Sequence, residues 1–250
     1  MNSRRALIVR GGWPGHQPVE TTDLFVPFLE DNGFDVRIEE SNEIYADADA
    51  MAQTDLIVQC ISMSEISAPA VTGLRDAVAA GTGLAGWHGG IVDSYRLNTD
   101  YLQLVGGQFV THPSKAPEAI RGDSTDNFLP HTIDITELGR AHEITHGLDD
   151  FALTTEQYWV LHDDLSDVLA TTTHPARPDQ PWHRPVTSPV VWTRSWGAGR
   201  VFVATPGHDT EVLRDANVRT IIERGLLWAG RGGKTYEERP SPAVSSHAPS

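Results

Sequence analysis

Histidine recurs in this chain beside glycine and proline. Gly15-His16-Gln17-Pro18, Trp87-His88-Gly89-Gly90, Thr111-His112-Pro113 and Pro206-Gly207-His208-Asp209 each set an imidazole in a turn signal. The segment Gly81 to Arg96, GTGLAGWHGGIVDSYR, shows what such a turn can do. Thr82 to Gly86 reads as a short buried strand. The two glycines after His88 allow a tight strand-to-helix turn with backbone N–H groups at the helix start. In that elbow the side chain stands at the carboxyl end of the strand, where open α/β sheets bind ligands. An elbow commonly carries serine or cysteine as nucleophile. Histidine there points to proton transfer instead. The alternative is that Gly-Gly only closes a loop and His88 packs on Trp87.

The elements that must position these groups can be read in order. Ala6 to Arg10 is a buried-type strand ending in a Gly/Pro-rich loop that carries Trp13 and His16. Val19 to Glu30 has helical spacing with an Asn32-Gly33 stop. Phe34 to Ile38 and Asp55 to Cys60 are strands, Ala70 to Ala80 is a helix, and the elbow strand follows. This alternation indicates a mostly parallel sheet wound on both faces. Tyr101 to Val105 is helical in pattern, and Gly106 to Pro113 is a loop carrying His112. Short strands follow at His131 to Ile135, Ala152 to Glu156, Val168 to Thr172, Pro189 to Trp196 and Arg200 to Ala204. The last two form a hairpin through Gly197-Ala198-Gly199. His208 follows the final strand, and Asn217 to Ala229 closes the fold as an amphipathic helix. Residues 1–230 therefore read as one domain. Residues 231–250, rich in Gly, Pro, Ser and Glu, read as a flexible C-terminal tail.

Composition narrows the partners. A net charge of −15 argues against nucleic acid or an anionic membrane as the main partner. It leaves a small neutral ligand open. One cysteine excludes an internal disulfide and fits a cytoplasmic location. The apolar run ALIVR is too short for a signal peptide, and no run reaches membrane-spanning length. Homo-oligomerisation is compatible with all of this. Eleven histidines and seven tryptophans supply polar-aromatic pockets.

Several matches carry less than their patterns imply. Gly81-x-Gly83-x-x-Gly86 fits a dinucleotide fingerprint, but a helix precedes it and a strand lies within it, the reverse of what the motif needs. His142-Glu143-Ile144-Thr145-His146 fits the zinc-protease pattern, yet Gly139 and Gly147 leave too little helix to align both imidazoles. A turn between strands is expected there. Cys60 ends an apolar strand and reads as a packed thiol. Asp149-Asp150 and His162-Asp163-Asp164 read as solvated turns.

The segments GGWPGHQP, GTGLAGWHGGIVDSYR, YLQLVGGQFVTHP, ITHGLDDFALTTEQYWVLHDD, VLATTT and PVVWTRSWGAGRVFVATPGHD, in this order, closely resemble the ThuA-like family, the trehalose utilisation proteins. The resemblance implies a flavodoxin-like or class I glutamine amidotransferase-like three-layer sandwich with a mostly parallel central sheet. Amidotransferases of that fold have cysteine at the elbow. Here the position holds His88, so thiolate chemistry on glutamine is excluded. The paired histidines found after the third strand in some longer relatives are replaced by Gln59 to Ser64, so that metal site is not expected.

The resemblance further implies an isomerase or lyase acting on trehalose-type disaccharides as 3-keto sugars, which a partner dehydrogenase would make. A ketone acidifies the neighbouring C–H, so such an enzyme needs a base near neutral pH and donors for the enediolate oxygen. The expected catalytic set is His88, His208, Glu156 and His112, with His88 or His208 as base. His16, Trp13, Trp87, Asp93, Tyr95, Arg96 and Tyr158 are expected to bind the sugar or support the elbow. No cofactor is required. The alternatives are a divalent metal held by the same His/Glu groups, or a non-catalytic sugar binder or regulator.

Overall fold

A computed structural model gives the architecture, described for residues 4–112, 122, 127–178 and 180–230. The tail expected at residues 231–250 and the end of the loop at Pro113 lie outside these residues. The chain runs β1 (Arg4–Gly12), a 3-10 turn (Pro14–His16), α1 (Pro18–Asp23), α2 (Val26–Asp31), β2 (Phe34–Glu39), a second 3-10 turn (Asn42–Ala46), α3 (Ala48–Ala52), β3 (Leu56–Ser62) and α4 (Ala68–Ala79). It continues with β4 (Gly83–Trp87), α5 (Gly89–Val92), α6 (Thr99–Val105), β5 (Gly107–Thr111), β6 (Phe128–Ile135), α7 (Glu137–Ala141), β7 (Phe151–Glu156) and β8 (Trp159–His162). The last elements are β9 (Asp167–His174), β10 (Val186–Trp196), β11 (Gly199–Ala204), α8 (Thr210–Arg214) and α9 (Ala216–Gly230).

Nine strands form one sheet in the order β2-β1-β3-β4-β11-β10-β9-β6-β7. The half from β2 to β11 is parallel, and the half from β11 to β7 is antiparallel. The sheet is therefore mixed. β3 is buried at every residue, as a parallel strand covered on both faces must be. Alternate residues divide between two cores. Ala6, Ile8, Val58 and Phe202 pack with Leu213, Ile222 and Leu226 on one side. Leu7, Val9, Ile57 and Val203 pack with Leu74, Val78 and Tyr101 on the other.

Three local expectations change. The helix over Val19 to Glu30 is broken into α1 and α2, with Pro27 in the first turn of the second. Proline lacks the N–H that a continuous helix would use and crowds the preceding turn, so the helix restarts. The supposed loop from Gly106 contains β5, which pairs with β8 outside the main sheet. HEITH begins at the C-cap of α7, and His142 packs on Trp228 with ring centroids 5.6 Å apart.

The antiparallel half has a consequence for chemistry. β6 joins β9 through only two residue pairs, Asp134↔Thr171 and Ile135↔Ala170, while it pairs along most of its length with β7. Glu156, the last residue of β7, nevertheless lies 3.1 Å from His88 and 3.3 Å from His208 at the carboxyl ends of the parallel strands.

Candidate active site

Four parallel strands end in one place. β1 leads through Trp13 to His16, β3 ends in Ser62, β4 runs into His88, and β11 leads through Thr205 to His208. The elbow is formed at His88, whose backbone sits at φ 52 and ψ −148, outside the regions an ordinary residue prefers. Glycine is required immediately after it. A Cβ on Gly89 would lie 2.4 Å from His16 Cε1, and one on Gly90 would lie 2.9 Å from Cys60 Cα. The two glycines let the elbow nest against β3 and let the His16 ring lie over it.

The imidazoles gather around Glu156. His88 Nε2 is 3.1 Å from Glu156 Oε2, and His208 Nδ1 is 3.3 Å from the same oxygen. His112 Nε2 stands 3.7 Å from Oε1. His16 stacks edge-on against His88, with centroids 4.6 Å apart. The ligand atoms of His16, His88, Glu156 and His208 all fall within 4.8 Å of one another. These four residues are buried, whereas the His112 side chain is 25 % exposed and marks the solvent side.

Main-chain and hydroxyl groups fix the rings from behind. His88 Nδ1 donates to the Thr205 carbonyl at 2.7 Å, which turns its Nε2 towards Glu156 and the Tyr158 hydroxyl, 2.8 Å away. His16 Nδ1 contacts Ser62 Oγ at 2.7 Å. Phe128 packs edge-on against His208 at 5.1 Å, and Phe109 against Tyr158 at 4.4 Å.

Burial sets the electrostatics. Burial, reinforced by His88 and His208, lowers His16 to about 2, so its ring is neutral. Burial likewise lowers His88, although Glu156 opposes it. Burial would raise Glu156, but its close contacts with the His208 and His88 rings outweigh that and hold the carboxyl well below the usual range. The Tyr158 hydroxyl is raised far above its ordinary value, chiefly by burial, and keeps its proton.

The structure therefore brings His16, His88, His112, Glu156 and His208 together, with Tyr158 directly on His88. Trp13, 44 % exposed, stands edge-on to His16 at 4.7 Å and leaves an aromatic surface beside the cluster. Trp87 is buried against Phe25 at 5.0 Å, on the core side of the elbow. Tyr95 is buried, its hydroxyl accepting from Gln59 at 3.1 Å and Asn42 at 3.2 Å. Asp93 is buried and paired to Arg96 through Nη2 at 2.6 Å. These three brace the elbow from beneath. Ser62, Phe109, Phe128 and the Thr205 carbonyl were not singled out from sequence. A backbone carbonyl leaves no sequence signal, and Ser62 ends a strand like any other polar residue.

An α/β sheet with a His/Glu cluster across its strand ends defines the class of protein. The sequence matches the ThuA family, trehalose utilisation, over residues 5–229, and the chain belongs to that family. Among functionally curated proteins, none matches the sequence. The fold resembles a protein described as ThuA-like from Parabacteroides merdae (TM-score 0.69, 16 % identity, 94 % of this chain and 92 % of that one). It also resembles one so described from Bacteroides uniformis (0.66, 16 %, 90 % and 91 %). A cytoplasmic protein of Salmonella typhimurium LT2 shares the fold at TM-score 0.58 and 15 % identity, over 90 % of this chain and 99 % of that one. Among the described residues, no helix is long and apolar enough to cross a membrane.

Proposed function

We propose that this chain is a cytoplasmic enzyme that enolises 3-keto derivatives of trehalose-type disaccharides, leading to isomerisation or β-elimination. A partner dehydrogenase would supply the ketone. The observation that carries this reading is the meeting of three buried imidazoles on one buried carboxylate, with a fourth imidazole at the solvent side. Sugar recognition alone has no need of so many titratable groups in one place. Family membership supplies the sugar class. The same reading takes the fold as a three-layer sandwich of the class I glutamine amidotransferase type, with chemistry moved from thiol to imidazole.

Access divides the roles. The base, expected from sequence at His88 or His208, is assigned instead to His112, because those two are buried and His112 is the imidazole that an entering sugar meets first. It takes the proton from the carbon beside the ketone. Glu156 faces His112 on one oxygen and His88 and His208 on the other, so it orients the rings and passes charge between them. The Tyr158 hydroxyl, which keeps its proton, stabilises the oxygen that gains charge on enolisation. Trp13 offers a flat face to a pyranose ring.

The test is solvent deuterium uptake into 3-keto-trehalose, followed by NMR. The chain should exchange the proton next to the ketone, and Glu156→Gln should slow exchange by about 10²–10⁴-fold. Binding of the keto sugar with neither exchange nor product would overturn the enzyme reading and leave a sugar-binding protein.

A further inference from the structure

The hydrogen atoms available around Glu156 are too few for the contacts made there. Since a carbonyl only accepts, the 2.7 Å contact to Thr205 O places the His88 proton on Nδ1 and leaves a lone pair on Nε2. That lone pair meets the Tyr158 hydroxyl at 2.8 Å, Glu156 Oε2 at 3.1 Å and His208 Nδ1 at 3.3 Å. Tyr158 brings one proton and the His208 Nδ1 position at most one more. His208 Nδ1 also faces Glu156 Oε2 at 3.3 Å. Two protons must serve four contacts, and the His88–Glu156 contact sets a nitrogen lone pair against a carboxylate. Such a gathering is repulsive unless a cation lies among the donors.

We infer that His16, His88, His208 and Glu156 form a binding site for one divalent transition-metal ion. Bond lengths of about 2.0–2.2 Å to imidazole nitrogen and carboxylate oxygen put neighbouring donors of a tetrahedral site roughly 3.4 Å apart. The 3.1 and 3.3 Å separations around Glu156 are close to that spacing, and the His16 donor lies within 4.8 Å of the rest. Three nitrogens and one oxygen suit zinc or cobalt, whereas calcium, magnesium and manganese favour sets of oxygen.

The groups behind the rings agree. Thr205 O holds the outer nitrogen of His88 and Ser62 Oγ that of His16, the arrangement that aims a metal-ligating histidine and fixes its tautomer. The set is assembled from the ends of β1, β4, β7 and β11, and no two of its residues are close in sequence. A bound ion would polarise the ketone oxygen. His112 and Tyr158 would remain for proton transfer and hydrogen bonding.

The inference does not depend on which reaction the chain performs, and its test needs no sugar. The full chain is stripped with chelator, dialysed, and titrated separately with Zn²⁺ and Co²⁺. Calorimetry and elemental analysis follow stoichiometry, and visible absorption follows the cobalt ligand field. The expected result is about one ion per chain, a cobalt spectrum of nitrogen and oxygen ligation, and a higher melting temperature. Glu156→Gln and His208→Ala should each weaken binding by more than tenfold, and Ser62→Ala by about 10–100-fold through the loosened His16. Circular dichroism confirms folding, and Ser62→Ala stays informative if a ligand variant does not fold. Absence of stoichiometric binding, or equal binding by wild type and all three variants, overturns the site. Metal binding without turnover of keto sugars would keep the site and remove the proposed reaction.

Discussion

Gly89→Ala tests the geometry of the cluster with a single methyl group. Position 89 opens α5 with an ordinary negative φ, so alanine meets no backbone strain there and by propensity alone would stabilise the helix by up to about 1 kcal/mol. Space decides otherwise. The new Cβ would lie 2.4 Å from His16 Cε1 and 2.8 Å from its Nδ1, where ordinary contact begins at 3.4 Å. The ring must therefore retreat by 3.4 − 2.4 = 1.0 Å. It is held by Ser62 Oγ at 2.7 Å and flanked by Trp13 and His88, so that retreat breaks a hydrogen bond in a packed site. Overpacking of this kind costs about 1–3 kcal/mol. Net destabilisation of about 1–2 kcal/mol is expected in urea denaturation. In a His16→Ala background the same change should be neutral or stabilising, giving a coupling of about 1–3 kcal/mol between the two positions. Equal effects of Gly89→Ala in the two backgrounds would refute the close approach of His16 to the elbow.

Acid should destabilise the metal-stripped chain. His16 is lowered to about 2 by burial while the unfolded residue titrates near 6.5. The unfolded state then binds more protons below that value, so stability is intact above it and falls as pH drops, by about 2 kcal/mol between pH 7 and 5 for this residue alone. The lowered His88 acts in the same direction, and denaturation in chelator at the two pH values, compared with His16→Asn, checks the sign. Trp13→Ala should raise KM several-fold more than it lowers kcat for any sugar the chain turns over, since the indole lies beside the cluster and makes no hydrogen bond to it. Cys60, buried and raised to about 12 mainly by that burial, should resist thiol reagents at pH 8 in the folded chain and react on unfolding.

Much of this molecule was legible in one dimension, and the reasons are local. Periodicity placed the five parallel strands because strands covered on both faces are written as apolar runs, and LIVQC of β3 can be little else. His88 stood out because two glycines after a strand permit a tight turn that other residues would resist. The elbow, the imidazoles beside turn residues and the family resemblance followed from residue types and spacing alone. What sequence could not give was depth and distance. Trp87 and Trp13 look equivalent as aromatic neighbours of histidine, yet one lies under the elbow against Phe25 and the other half in solvent. The break at Pro27 has a local cause that the sequence carries, whereas the pairing of β5 with β8 depended on tertiary competition for backbone hydrogen bonds. Above all, Glu156 comes from the far edge of the sheet order, yet it reaches His88 and His208 at the ends of the parallel strands. Local residue choice decided which chemical groups the chain possesses. Long-range packing decided that those groups share one oxygen atom, because separations of 3 Å between residues some 50 to 120 positions apart are set by the closed fold and by nothing in the spacing along the chain.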